Sequence, residues 1–192
     1  MSRPDYSEWL TPERLAIEEK AWGDPATRTW PWFTDAIIAA AKRTPIQSII
    51  EFGCGTGWVP QNLTGFNYVG VDANQRCIRL AEEKNPTRSF VLADTRTFEF
   101  AEEMYDLVCA FSFFKHFALD EWSDVVRRVL EFGVNGLFSV PIAAADKDDG
   151  TEFPHVWVTK ERIEIVVESA EHRIVQMTPL PWGETLVETC RD

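Results

Sequence analysis

The chain has 192 residues, with 31 acidic side chains against 19 basic ones and a formal charge of −12 at pH 7. At 45% apolar and 26% charged residues it has the composition of a folded globular protein, which excludes a disordered or fibrous chain. The carboxylate excess weighs against nucleic acid as a partner, because that affinity comes largely from Lys and Arg neutralising phosphates.

The length suits one compact domain that buries roughly 70% of its unfolded surface. No apolar run approaches the roughly 20 residues needed to span a bilayer, and the N-terminal stretch lacks the basic start and apolar centre of a secretory signal. A cytoplasmic protein without a membrane partner is expected. Cys54, Cys77, Cys109 and Cys190 form no CxxC pair, and His116, His155 and His172 have no zinc-ligand spacing. Reduced thiols and no metal follow.

Residues 1–45 read as a helical segment. Thr11-Pro12-Glu13 is a start signal, with Thr as cap, Pro where a missing N–H costs nothing and Glu against the helix dipole. A second helix opens at Pro31 and runs to Arg43, before Thr44-Pro45. From Gln47 strand and helix alternate. Strands are expected at Ser48–Phe52, Asn67–Val71, Ser89–Ala93, Asp106–Phe111 and Leu137–Val140, with helices from Trp58, over Asn74–Lys84 and over Thr159–Ser169. Trp122, Val125, Val126, Val129 and Leu130 mark one face of a further helix within Asp120–Phe132. Arg173–Thr178 and Thr185–Cys190 read as two strands joined tightly around Pro179–Gly183.

Such alternation implies an α/β, Rossmann-like doubly wound fold: a seven-stranded, mostly parallel sheet with helices on both faces. The terminal strand pair is too close for a parallel crossover, so the last strand should be antiparallel. Residues 46–192 would form the domain, preceded by the helical segment of residues 1–45. In such sheets ligands bind outside the carboxyl ends of the strands.

The first strand ends in Glu51-Phe52-Gly53-Cys54-Gly55-Thr56-Gly57. Glycines at alternate positions let the backbone turn sharply and approach a ligand closely. A dinucleotide fingerprint has GxGxxG; here the spacing is GxGxG and position 58 is Trp, which disfavours a nicotinamide or flavin cofactor. Asp72 ends the second strand, where a carboxylate can accept both hydroxyls of a ribose, and Asp94 ends the third, where it can accept an exocyclic amine. Asp106 starts its strand, at the opposite edge, and is assigned a structural role.

The segments Ile49–Gly57, Tyr68–Asp72, Val91–Asp94 and Tyr105–His116, in this order and spacing, resemble those of class I S-adenosylmethionine-dependent methyltransferases, in the broad small-domain group of unassigned substrate. The resemblance spans about residues 35–190. It implies S-adenosylmethionine as the methyl donor, with the Gly53, Gly55 and Gly57 loop under the methionine moiety and Glu51 contacting its ammonium directly or through water. Asp72 would bind the ribose, Asp94 and the Thr95 backbone N–H the adenine, and Phe111 and Ser112 would line the reaction centre.

Methyl transfer from a sulfonium requires alignment, exclusion of water and, for some acceptors, removal of a proton. Two histidines are candidate catalytic bases. His116 follows the fourth strand at a position often His in the family, where it is either base or loop support. His155 lies in the loop after the fifth strand, among Asp146, Asp148, Asp149 and Glu152, as base or as a solvated loop residue. The signature of enzymes that methylate exocyclic amines of nucleobases is absent, since Phe111-Ser112-Phe113-Phe114 stands in its place, and no Asp-Asn pair matches the metal site of catechol-type relatives. Tyr6, Trp9, Trp22, Trp30 and Trp32 precede the core, either as an aromatic lid or as packing. The expected activity is methyl transfer to a small-molecule acceptor; a non-catalytic donor-binding module and a protein acceptor are the alternatives.

Overall fold

The computed structural model of the chain describes residues 11–24, 29–99, 104–150 and 155–191. Tyr6, Trp9 and Glu152 lie outside the described residues. The helices are α1 (Pro12–Gly23), α2 (Trp30–Ala41), α3 (Gln75–Lys84), α4 (Trp122–Leu130) and α5 (Lys160–Ser169). The strands are β1 (Ser48–Phe52), β2 (Asn67–Asp72), β3 (Ser89–Leu92), β4 (Tyr105–Ala110), β5 (Gly133–Pro141), β6 (Lys147–Asp148), β7 (Val156–Trp157), β8 (His172–Pro179) and β9 (Glu184–Arg191). Seven of them form one sheet in the order β3-β2-β1-β4-β5-β9-β8, and β6 pairs with β7 separately. β9 is antiparallel to both β5 and β8, so the expected architecture, including the reversed last strand, is the one found. The chain divides into two compact units, Met1–Thr97 and Phe98–Asp192.

In the first unit, β1, β2 and β3 pair in parallel with Ser48 opposite Asn67 and Val69 opposite Ser89. The last four residues of β1 are buried, the near-continuous apolar run of a strand covered on both faces. Thr11 caps α1 as its sequence requires, accepting from the Arg14 N–H at 3.3 Å. Leu15 is the buried side chain of α1, and it meets Cys77 and Leu80 of α3. In α2, Phe33, Thr34, Ile37 and Ala40 are buried on one face, and the Thr34 hydroxyl contacts the carbonyls of Trp30 and Val59. Asn74 caps α3 with its side-chain oxygen on the N–H groups of Arg76 and Cys77.

The helix expected from Trp58 does not form. A four-residue 3-10 turn, Val59–Asn62, stands there instead. The stretch before β2 is short and contains Pro60 and Gly65, and its carbonyls find another partner: the Arg88 guanidinium donates to Leu63 and Phe66. The glycine loop is therefore followed by a tight turn rather than by an α-helix N-terminus.

In the second unit the five apolar residues of α4 are all buried, as their spacing predicts. β5 is nine residues long, more than twice its apolar centre, because β4 pairs with it on one side and β9 on the other. The β8–β9 connection closes with the Leu180 N–H on the Glu184 carbonyl at 2.8 Å. The four cysteines are free thiols. No helix among the described residues is long and apolar enough to cross a membrane, and no group of three or more metal-ligating side chains occurs among them.

Candidate active site

The first unit holds the glycine loop and the three carboxylates read from the strand ends. The N–H groups of Gly53 and Cys54 both donate to the Val71 carbonyl, so the chain reverses as it leaves β1. Gly53, Gly55 and Gly57 have φ of 69°, 52° and 73°, the left-handed region that side chains disfavour. At Gly57 a Cβ would also come within 2.7 Å of the Asn85 side-chain nitrogen, which donates to the Gly57 carbonyl.

Asp72 is fixed by this loop. Its Oδ2 accepts from the Gly55 N–H at 3.0 Å and its Oδ1 from the Asn74 N–H at 2.8 Å. Each oxygen thus retains acceptor capacity with its direction set. Burial raises the Asp72 pKa, and the two N–H groups oppose that rise without cancelling it. Glu51, on β1, is 2% exposed and accepts from the Tyr68 hydroxyl at 2.5 Å. Burial pushes its pKa up to about 8, against the Tyr68 hydrogen bond and with help from the Asp72 charge. Near pH 7 Glu51 is therefore mostly a neutral acid.

Asp94 is held by Arg96, which donates from its backbone N–H, from Nε and from a terminal nitrogen at 2.5–3.0 Å. An amine-accepting role for Asp94 is thus one it would share with an ion pair. Thr95 beside it is buried.

The N-terminal helices reach the same loop. Glu19 of α1 accepts from the Thr56 hydroxyl, from the Trp58 indole N–H at 3.0 Å and from the Lys84 ammonium at 2.5 Å. The Trp22 ring lies 3.6 Å from where a Gly55 Cβ would stand. Trp30 stacks on Trp58 at 5.8 Å, and the Lys84 ammonium sits 4.6 Å from the Trp58 ring centroid. Trp32, by contrast, is 54% exposed.

The second unit holds the other candidates. Phe111 is buried, and Ser112, just past β4, has a φ of 50°. The Ser112 N–H donates to the Ser139 hydroxyl at 2.7 Å, and both serine hydroxyls donate to one oxygen of Glu184, at 2.8 and 2.6 Å. Lys115 pairs with the other oxygen at 2.9 Å. Burial would raise the Glu184 pKa, but the Lys115 charge and the hydrogen bonds from Ser139, Lys115 and Ser112 outweigh it, and the carboxyl lies below its usual range.

His116 ends a 3-10 turn anchored by fully buried Phe114, which packs edge-on against Trp122 and Phe138. His155 leads into β7, held by the Asp149 N–H on its carbonyl and by buried Val156. The two imidazoles, far apart in sequence, have ring centroids 5.0 Å apart. The loop's acidic residues are partly used within the protein. Asp146 accepts from the Thr159 N–H and from Arg162, and Asp148 from the Gly150 N–H.

Residues 49–133 match the family model described as "Methyltransferase domain". Over this stretch the chain is similar to a methyltransferase domain. No curated protein matches the sequence. Among solved structures, magnesium protoporphyrin IX methyltransferase from Synechocystis PCC 6803, with bound S-adenosylhomocysteine, is 15% identical, with 97% of this chain and 98% of that chain covered and a TM-score of 0.79. An S-adenosylmethionine-dependent methyltransferase from Clostridium acetobutylicum is 13% identical over 94% and 99% of the two chains, with a TM-score of 0.72. The 1,6-didemethyltoxoflavin-N1-methyltransferase of Burkholderia thailandensis is 17% identical over 94% and 84%, with a TM-score of 0.71. At these identities the likeness is one of fold.

Within this fold, Glu51, the glycine loop and Asp72 converge in the first unit, and Ser112 joins a buried network in the second. Glu19, Lys84, Ser139 and Glu184 belong to no spaced motif, and their partners are distant in sequence. Tyr68 and Lys115 lie inside the Tyr68–Asp72 and Tyr105–His116 segments, but their bonds to Glu51 and Glu184 show only in the fold. For Glu184 the one available signal is a carboxylate at the mouth of a strand that is otherwise half apolar.

Proposed function

We propose that the chain is an S-adenosylmethionine-dependent methyltransferase acting on a small-molecule acceptor. The observation that carries this reading is the lock between Asp72 and the Gly55 N–H, which holds a glycine-lined turn beside a carboxylate with acceptor capacity on both oxygens. That donor set fits a nucleoside carrying an amino acid. Asp72 accepts the ribose hydroxyls, the left-handed glycines bring backbone close to the methionine portion, and Glu51 meets its ammonium. Asp94 and the Thr95 N–H contact the adenine, and Phe111 and Ser112 line the reaction centre. Residues 1–45 act as a cap on the domain formed by residues 46–192.

When bound, S-adenosylmethionine supplies a methyl group on a sulfonium, open to in-line displacement. The protein's share is to align the acceptor, exclude water and take a proton where the acceptor carries one. The His116–His155 pair is suited to that last task, since two imidazoles 5.0 Å apart place a proton acceptor and a group that orients it in one spot. A small acceptor is supported by the chain's acidity, by the missing nucleobase-methylation signature and by the relatives named for magnesium protoporphyrin IX and 1,6-didemethyltoxoflavin.

The test is transfer of labelled methyl from S-adenosylmethionine to a panel of hydroxyl, phenol, amine and carboxylic acid acceptors. At least one small molecule should be labelled, and for a hydroxyl acceptor His155→Asn should lower turnover about 100-fold. Labelling of none, with donor bound, would contradict an active enzyme.

A further inference from the structure

α1 reaches the glycine loop through both apolar and polar side chains. Leu15 is its buried side chain, and Ile17 is 70% exposed. The polar contacts of Glu19 stand in contrast. One carboxylate accepts from Thr56 and Trp58, on either side of Gly57, and from Lys84 at the end of α3. Thr56 is fully buried, while Glu19 and Lys84 are each about a fifth exposed, so water competes only partly for the pair. Lys84 also donates to the Thr56 carbonyl at 3.3 Å and lies over the Trp58 ring. Three turns further on than the cap, the same helix lays the Trp22 ring against Gly55. The contacts that hold α1 on the loop therefore include Leu15, the Trp22 ring, the Trp22 carbonyl accepting from the Trp30 indole at 3.1 Å, and the multiply bonded Glu19, and local opening of a helix is governed by contacts of this kind.

We propose that Glu19 is a positioning residue of the donor site: through Thr56, Trp58 and Lys84 it seats α1 on the Gly53–Gly57 loop, and α1 must lift for donor to enter or leave. This rests on the reading of that loop as the donor site. Hydrogen bonds to a charged group exceed neutral ones in strength, so losing the Glu19 contacts lowers the barrier to lifting.

The experiment is stopped-flow binding of S-adenosylhomocysteine to the full chain, read by the fluorescence of its native tryptophans, for wild type, Glu19→Gln, Lys84→Met and the double variant. Association and dissociation should both accelerate in Glu19→Gln, dissociation about tenfold. Lys84→Met should act in the same direction, and the double variant should fall short of the product of the two single effects, because both break one pair. A merely structural Glu19 would lower the unfolding midpoint without speeding association, and an unchanged or slower association rate in both single variants overturns the proposal. Should Glu19→Gln not fold, Lys84→Met alone decides by the same criterion. Absence of S-adenosylhomocysteine binding in the wild type would instead overturn the donor-site reading, and the role of Glu19 with it.

Discussion

Glu51 is a buried acid whose charge state depends on what meets it. Its pKa of about 8 in the free protein comes chiefly from burial, and a cationic ammonium at its carboxylate would favour the ionised form. Binding then releases a proton, so affinity must rise with pH while Glu51 is still protonated in the free protein. Between pH 5.5 and 7.0, below the range near 7.7 where the donor's own amino group titrates, S-adenosylhomocysteine should bind progressively more tightly, approaching tenfold per pH unit. Glu51→Gln keeps an acceptor for Tyr68 and removes the ionisation, so its affinity should be flat over that range. A wild type that is equally flat would remove Glu51 from ammonium binding. Asp72 differs in kind. Its oxygens are each directed by a backbone N–H, and it lies where the strand-end rule placed it from the sequence alone.

Among the elements, the end of β4 is held by a carboxylate from the other end of the second unit's sequence. Glu184 opens β9 and fixes Ser112 and Ser139 on one oxygen and Lys115 on the other. The left-handed Ser112 is unfavourable by itself and persists because its N–H and hydroxyl are both engaged. Removing a buried carboxylate that serves three donors should destabilise the protein by about 2–3 kcal/mol in urea unfolding at pH 7. The pH dependence has a definite sign. Glu184 titrates below its ordinary value in the fold, so its contribution is present above about pH 4.5 and is lost as pH falls through the folded pKa. The gap between wild type and Glu184→Ala should therefore narrow on acidification, and a gap that widens would contradict the network.

The same element scale separates what sequence can disclose from what it cannot. β1, the cap of α1 and the buried face of α4 were legible because each depends on residues within one or two turns of one another. The helix expected after Trp58 failed because Arg88, more than 20 residues on, satisfies the carbonyls a helix would have used. Glu19 and Glu184 were invisible for a related reason: each serves partners at least 37 residues away, and no spacing rule connects them. Asp72 ends β2 and Asp94 stands two residues past β3, so both could be found, but only the fold shows that Arg96 already holds Asp94.

At the scale of the molecule, identities of 13–17% coexist with TM-scores above 0.7, so the fold is shared where the side chains are not. Function has to be argued from the site that the fold carries. Glu19, Asp94, Asp146 and Glu184 each pair with a Lys or Arg, so the charge of −12 is the excess carried by other carboxylates. The central claim is donor binding at the Gly53–Gly57 loop and Asp72. Isothermal titration of the purified chain with S-adenosylmethionine tests it most directly: one site should saturate, and Asp72→Ala, which leaves the Gly55 and Asn74 N–H groups without their acceptor and the ribose without its partner, should weaken binding about 100-fold. Absence of binding at millimolar donor, or equal affinity in Asp72→Ala, would contradict it.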